Sequence, residues 1–198
     1  MWEKLARSGT WYNRRKQEED SIIETALQVP LSGQVEAFVS PIQRLHVNRF
    51  TPLPHITQIA EFLLQEWGEE YPIHEMRAEF QGAQRGEPLP RIHYAVDLAS
   101  GKVVATGYVM HQDIDRFPAL TPWLSNIYVA ASHRRRGLGE WICQGLVQEA
   151  QRAGYPCLYL YTDSKTAWYE KMGWKKISEF IHRNRKQDLM CLDFSPAQ

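Results

Sequence analysis

The stretch that most constrains the fold is a short apolar run, a glycine-bearing basic turn and a long amphipathic segment, together spanning Trp123 to Ala153. Leu124 to Ala130 is apolar and partly β-branched, and Thr121-Pro122 bounds it on the left, so it predicts a strand. Leu138, Trp141, Ile142, Gly145, Leu146, Ala150 and Ala153 then recur at the three-and-four spacing of one buried helical face. Gly154 and Pro156 follow and end the helix, as C-terminal caps do.

The turn between them is His133-Arg134-Arg135-Arg136-Gly137-Leu138-Gly139. Unpaired N–H groups at a helix start point outward, and the helix dipole places about half a positive charge there. Glycine lets an anion approach the main chain, and arginine adds bidentate, permanently charged donors. The turn therefore predicts a site for a diphosphate-bearing ligand. A phosphate-binding loop of the Gly-x-x-x-x-Gly-Lys-Ser/Thr kind is absent from the chain. A dinucleotide fingerprint needs a third small residue where Ile142 stands.

What the turn does match is Arg134-x-x-Gly137-x-Gly139, which resembles the Arg/Gln-x-x-Gly-x-Gly/Ala signature of the GNAT superfamily of N-acetyltransferases. Downstream, Ala167-Trp168-Tyr169-Glu170-Lys171-Met172-Gly173-Trp174 looks like that family's Ala-x-x-Phe-Tyr-x-Lys-x-Gly-Phe region. The resemblance covers about residues 44 to 194. It implies an α/β fold with a mixed, mostly antiparallel, twisted sheet and helices on both faces.

Composition narrows the class further. With 43% hydrophobic and 12% aromatic residues, a chain of 198 can bury a substantial core. Lys+Arg and Asp+Glu both number 23, so neither nucleic acid nor an anionic membrane is an expected partner. Cys143, Cys157 and Cys191 are odd in number and lie in apolar segments, which favours a reducing compartment and a cytoplasmic location over disulfides. Their spacing makes no zinc site, and His74-Glu75 lacks the second histidine of a metalloprotease helix, so no metal is expected. No run reaches the roughly 18 apolar residues of a membrane span, and a secretory leader is not expected.

In chain order, residues 1–43 read as an N-terminal extension packing on an acetyltransferase domain of residues 44–198. A strand is expected over Arg44 to Phe50, a helix from Pro54 through Trp67, and a weaker helix from His74 to Arg85. The link Glu66-Trp67-Gly68-Glu69-Glu70-Tyr71 is acidic and aromatic; it is either a solvated helix end or, by the resemblance, the border of an acceptor site. Strands follow at Arg91 to Leu98 and Lys102 to His111, joined by Ala99-Ser100-Gly101. Cys157 to Tyr161 reads as a strand buried on both faces. Thr162-Asp163-Ser164 then caps a short helix through Met172, and Trp174 to Phe180 and Leu189 to Phe194 close the chain as strands.

The resemblance implies attack of a primary amine on the thioester of acetyl-CoA, the expected co-substrate. Main-chain and side-chain groups of Arg134, Arg135, Arg136, Gly137, Leu138, Gly139 and Glu140 would hold its pyrophosphate. N–H groups of Ile127, Tyr128 and Val129 would meet the thioester end, and Ser164 stands where relatives carry an asparagine on the pantetheine arm. Tyr169 occupies the position of the general acid, suited by a phenol pKa near 10. For the base, Asp113, His111 and Asp163 are candidates, with a water relay as an alternative, because Ser125 and Asn126 stand where better-known members place a glutamate. Trp123, Tyr128 and Trp174 could line the acceptor channel or simply pack the core. The leading expectation is transfer to a small cationic amine; a protein or peptide N-acetyltransferase and a non-catalytic acyl-CoA-binding module are the alternatives, and a homodimer is left open.

Overall fold

A computed structural model describes residues 41–67 and 73–194. The expected extension over residues 1–43 falls almost wholly outside the described residues, as does the 68–71 portion of the acidic link. The chain runs β1 (Ile42–His46), α1 (Leu53–Trp67), α2 (Ile73–Arg85), β2 (Arg91–Asp97), β3 (Lys102–Met110) and β4 (Trp123–Val129). After a single 3-10 turn at Ala131–His133 come α3 (Leu138–Arg152), β5 (Cys157–Thr162), α4 (Thr166–Glu170), β6 (Lys175–His182) and β7 (Arg185–Asp193). Seven strands form one sheet in the order β1-β2-β3-β4-β5-β7-β6, antiparallel at every junction except β4 with β5. The expected mixed, mostly antiparallel α/β fold is what forms.

Helices on opposite faces follow from the alternation of side chains along each strand. On one face Ala95, Ala105, Val109 and Leu124 pack with Ile142, Cys143 and Leu146 of α3 and with Tyr169 of α4. On the other, Tyr94, Val96, Val103 and Tyr108 pack with Ile59 and Leu63 of α1 and with Met76 and Phe80 of α2. Gly145 of α3 belongs to its buried face for a specific reason: a methyl there would collide with the Arg44 guanidinium and stand 3.0 Å from His93 Nδ1. Arg44 Nη1 in turn donates to the Trp141 carbonyl at 2.6 Å. No helix among the described residues is long and apolar enough to cross a membrane.

Several boundaries differ from the sequence-based expectation, and at three elements the cause is local. β1 ends at His46 rather than Phe50, because Asn48 turns the chain: its N–H donates to Thr51 Oγ1 and its Oδ1 accepts from Phe50 N. Phe50 is left 61% exposed. α4 begins at Thr166 and stops at Glu170, short of Met172, with Thr162 Oγ1 accepting the N–H groups of Ser164 and Lys165. β7 begins at Arg185 instead of Leu189, since Arg183 and Asn184 both take positive φ, 49° and 59°, and make the two-residue turn that suits a twisted hairpin.

Candidate functional site

The site is built where β4 leaves the sheet. Tyr108 pairs with Ser125 and Thr106 with Tyr128, so Gly107 alone stands opposite both Asn126 and Ile127. This is a β-bulge, with Asn126 in the left-handed region at φ 54°. On its other side β4 is in register with β5 only at Trp123 opposite Tyr159, where Tyr159 N donates to the Pro122 carbonyl at 3.0 Å. Beyond that contact the two parallel strands part. From Leu124 to Val129 β4 keeps its pairing with β3 on one edge and has no register with β5 on the other among the described residues, which leaves a cleft between the two parallel strands.

The basic turn closes one end of the cleft. Arg134 Nε donates to the Val129 carbonyl at 2.9 Å, tying the turn to the end of β4, and its guanidinium lies 5.9 Å from the Tyr128 ring centroid. Arg135 takes φ 62° and Gly137 φ 77°, and together they lead into α3. Gly137 is the N-cap of α3 and no side chain caps the helix there, so the first-turn amides of Leu138, Gly139 and Glu140 keep their outward donors. Arg135 and Arg136 are exposed. A methyl added at Gly139 would meet Trp168 at 3.4 Å and Val129 at 3.6 Å, which places α4 and the end of β4 on either side of the turn.

Tyr169, next to Trp168 on α4, is 8% exposed. Its ring packs edge-on to Trp168 and Trp174, at 4.7 and 5.9 Å between centroids. Burial, then the nearby Cys143 thiol and the Asp113 carboxylate, push the phenol pKa up. The Tyr169 hydroxyl is therefore held protonated, and it lies within the electrostatic reach of Asp113.

Asp113 sits in the β3–β4 connection, where burial pushes its carboxyl up to about 6 against the lowering effect of a hydrogen bond from Ser125. The other proposed bases lie differently. His111 is exposed and holds Thr121 Oγ1 at 3.1 Å through Nδ1, and Asp163 makes an exposed ion pair with Arg185 at 3.3 Å. Ser164 is exposed in the loop after β5. Trp123 and Trp174 are 0% and 2% exposed and pack the core. The Tyr128 ring stacks on Phe62 of α1 at 4.6 Å.

One acidic residue of this region escapes sequence reasoning. Glu79 of α2 is half-buried, three residues after the buried Met76 and four before the buried Ala83. Burial and the charge of Asp113 push its carboxyl up to about 8. Its charge acts on Tyr108, whose hydroxyl is fully buried and has no hydrogen-bond partner among the described residues. The signal was a glutamate at core spacing on an otherwise modest helix.

Among the described residues no group of histidine, cysteine or acidic side chains could hold a metal ion.

Comparison with known proteins agrees with this architecture. The family model described as the acetyltransferase (GNAT) family matches residues 56–174. No curated protein sequence matches. Among solved structures, an acetyltransferase of the GNAT family from Staphylococcus aureus Mu50 superposes with a TM-score of 0.59 at 12% identity, covering 78% of this chain and 100% of that one. An aminoglycoside 6'-N-acetyltransferase complexed with coenzyme A gives 0.59 at 19% identity, covering 80% and 99%. A chain of the NatC complex bound to Gag peptide and CoA gives 0.62 at 14% identity, covering 78% and 99%. The fold and the cleft thus define an acyl-transfer scaffold. The chain belongs to the GNAT acetyltransferase family, whose co-substrate is acetyl-CoA.

Proposed function

We propose that the protein is an N-acetyltransferase that moves the acetyl group of acetyl-CoA to a primary amine, of the small cationic class. The observation that carries the reading is the convergence of three elements on one cleft: the uncapped start of α3, the parted end of β4, and α4 with Tyr169. Coenzyme A supplies an acetyl thioester with a nucleotide diphosphate tail, the tail for the basic turn and the thioester for the stretch of β4 beside the bulge. Residues Arg134 to Glu140 take the pyrophosphate on main-chain amides and guanidinium groups. Ile127, Tyr128 and Val129 supply the main chain that meets the pantetheine and the thioester carbonyl beside the bulge. Ser164, at the mouth beyond β5, offers a hydroxyl to the same arm.

Tyr169 keeps its proton until the thiolate departs, then donates it. Asp113 accepts the proton of the acceptor amine, whose ordinary pKa near that of lysine leaves it charged at neutral pH. Among the solved structures, the aminoglycoside 6'-N-acetyltransferase lends weight to a small cationic acceptor.

Two measurements test this. Coenzyme A at about 100 times its dissociation constant is expected to stabilise the protein by about 2.7 kcal/mol, read as a rise in Tm. Thiol release from acetyl-CoA is then followed across polyamines, aminoglycosides, amino acids and peptides. Release with a small polycation supports the reading. Release with peptides alone replaces the acceptor class, and binding without any release makes the chain an acyl-CoA-binding module.

A further inference from the structure

The start of α3 is left open where helices are usually restrained. Helix ends fray, and an N-cap side chain ordinarily steadies the first turn by accepting its free N–H groups. Here the N-cap is Gly137, left-handed at φ 77°, and no side chain caps the helix. An amide kept open for a ligand forgoes that restraint. The same turn is held from its other side. Trp141 N donates to the Gly137 carbonyl at 3.0 Å and closes the turn that carries Leu138, Gly139 and Glu140. Arg44 of β1, half-buried, then holds Trp141 twice: Nη1 donates to its carbonyl at 2.6 Å, and the guanidinium lies 4.9 Å from its ring centroid.

We infer that Arg44 is a positioning residue of the diphosphate site: it does the work of the missing N-cap, fixing the first turn of α3 by its carbonyl side so that the amide side stays open for coenzyme A. This rests on the acetyltransferase reading above and concerns how tightly the donor's diphosphate is held. The base of the hold is sheet, since β1 pairs with β2 from Ile42 to His46 with Arg44 opposite Ala95, and Ala95 packs in one core with Ile142 and Leu146 of α3. One turn past Trp141, Gly145 leaves the room that the guanidinium fills, because a methyl there would collide with it. A charged donor makes a short, strong hydrogen bond, and a planar guanidinium can meet a carbonyl and an aromatic ring at once. The helix dipole opposes a cation at this end, and an anion bound on the amide side offsets that opposition. Arg44 therefore acts on the donor through Trp141.

The test compares the wild-type chain with Arg44→Met and Arg44→Lys, each checked for a folded circular dichroism spectrum. Calorimetry with coenzyme A should give a dissociation constant about tenfold or more higher in Arg44→Met, with part of the loss recovered in Arg44→Lys, which keeps a charged donor. A folded Arg44→Met protein within about twofold of wild type overturns the inference. A second donor separates positioning from general loosening: S-acetylpantetheine carries the thioester and arm of acetyl-CoA without the nucleotide diphosphate. With the fastest amine of the panel, the ratio of kcat/KM for acetyl-CoA to that for S-acetylpantetheine should fall about tenfold in Arg44→Met, through the KM for acetyl-CoA. An unchanged ratio assigns the loss to the fold at large and overturns the role. If Arg44→Met does not fold, Gly145→Ala carries the same comparisons, because its methyl displaces the guanidinium without removing the charge. Should no amine release thiol, the calorimetry alone decides the role of Arg44. Coenzyme A bound equally by wild type and variants removes that role and leaves the acetyltransferase reading; a wild-type protein that binds no coenzyme A removes both.

Discussion

A methyl group on Gly107 would stand 2.5 Å from Ile127 Cδ1 and 2.7 Å from Ile142 Cγ2, so the residue opposite the β4 bulge has no room for a side chain. Bulge and helix are thereby fitted to each other through one glycine. Gly107→Ala must displace either Ile127 from the cleft wall or α3 from the sheet. The expected loss is about 1–3 kcal/mol in urea unfolding, accompanied by weaker coenzyme A binding. A variant as stable as wild type, with equal affinity, would mean the bulge absorbs the methyl elsewhere.

Tyr169→Phe keeps the ring and removes the proton. Turnover should fall about 100-fold or more while the coenzyme A-induced rise in Tm stays the same. Burial keeps the phenol protonated well past its ordinary range, so the wild-type alkaline limb below pH 10 should survive unchanged in the residual activity of the variant. Equal turnover in the two proteins would remove Tyr169 from the chemistry.

Gly137→Ala and Gly139→Ala separate two roles of glycine in the turn. Gly137 has φ 77° and open space around it, so alanine there meets only backbone strain, about 1–2 kcal/mol. At Gly139 the methyl would rest in ordinary contact with Trp168 and Val129. Thermal unfolding should therefore drop for Gly137→Ala and hardly move for Gly139→Ala. Coenzyme A affinity, measured by calorimetry, should fall in both, because each alters the amides offered to the pyrophosphate. A Gly139→Ala protein with full affinity would show that close main-chain approach is not needed there.

Glu149 of α3 reaches His93 of β2 at 3.1 Å, with Nε2 facing Oε1. The imidazole holds the Glu149 carboxyl below its usual range. A carboxyl depressed in the folded state stabilises above its unfolded pKa and loses that contribution as pH falls through the acid range. Glu149→Gln should thus destabilise the protein at neutral pH by about 1 kcal/mol or less, since solvent screens the half-exposed carboxylate, with the gap to wild type closing as pH falls. A gap that is constant between pH 7 and pH 3 would assign the loss to packing alone.

How much of this was legible in the chain depends on how local the physics is. The β4–turn–α3 unit was readable because strand alternation, glycine spacing and a long apolar stripe all report on neighbours in sequence. The turn at Asn48 and the hairpin at Arg183-Asn184 were not, because each rests on one or two residues whose backbone angles composition does not reveal. The bulge at Asn126 is a relation between strands, set by Gly107 from another part of the chain. Glu79 was overlooked for a related reason. A glutamate on a helix reads as solvent-facing, and its spacing says nothing of the charge that the fold brings to bear on it from Asp113 of the β3–β4 connection.

The parting of β4 from β5 leaves the protein with an exposed selvage in the middle of its own fabric. Sheet proteins normally shield such borders at their outer rim with charge, kinks or covering loops, since bare amides invite other chains to stitch on. Here the border lies between the fourth and fifth strands, which are in register at Trp123 and Tyr159 alone among the described residues. On the proposed function the polyamide arm of coenzyme A would thread it, which would make the donor a dressing for the empty protein as well as a reagent, and storage in its presence should suppress self-association.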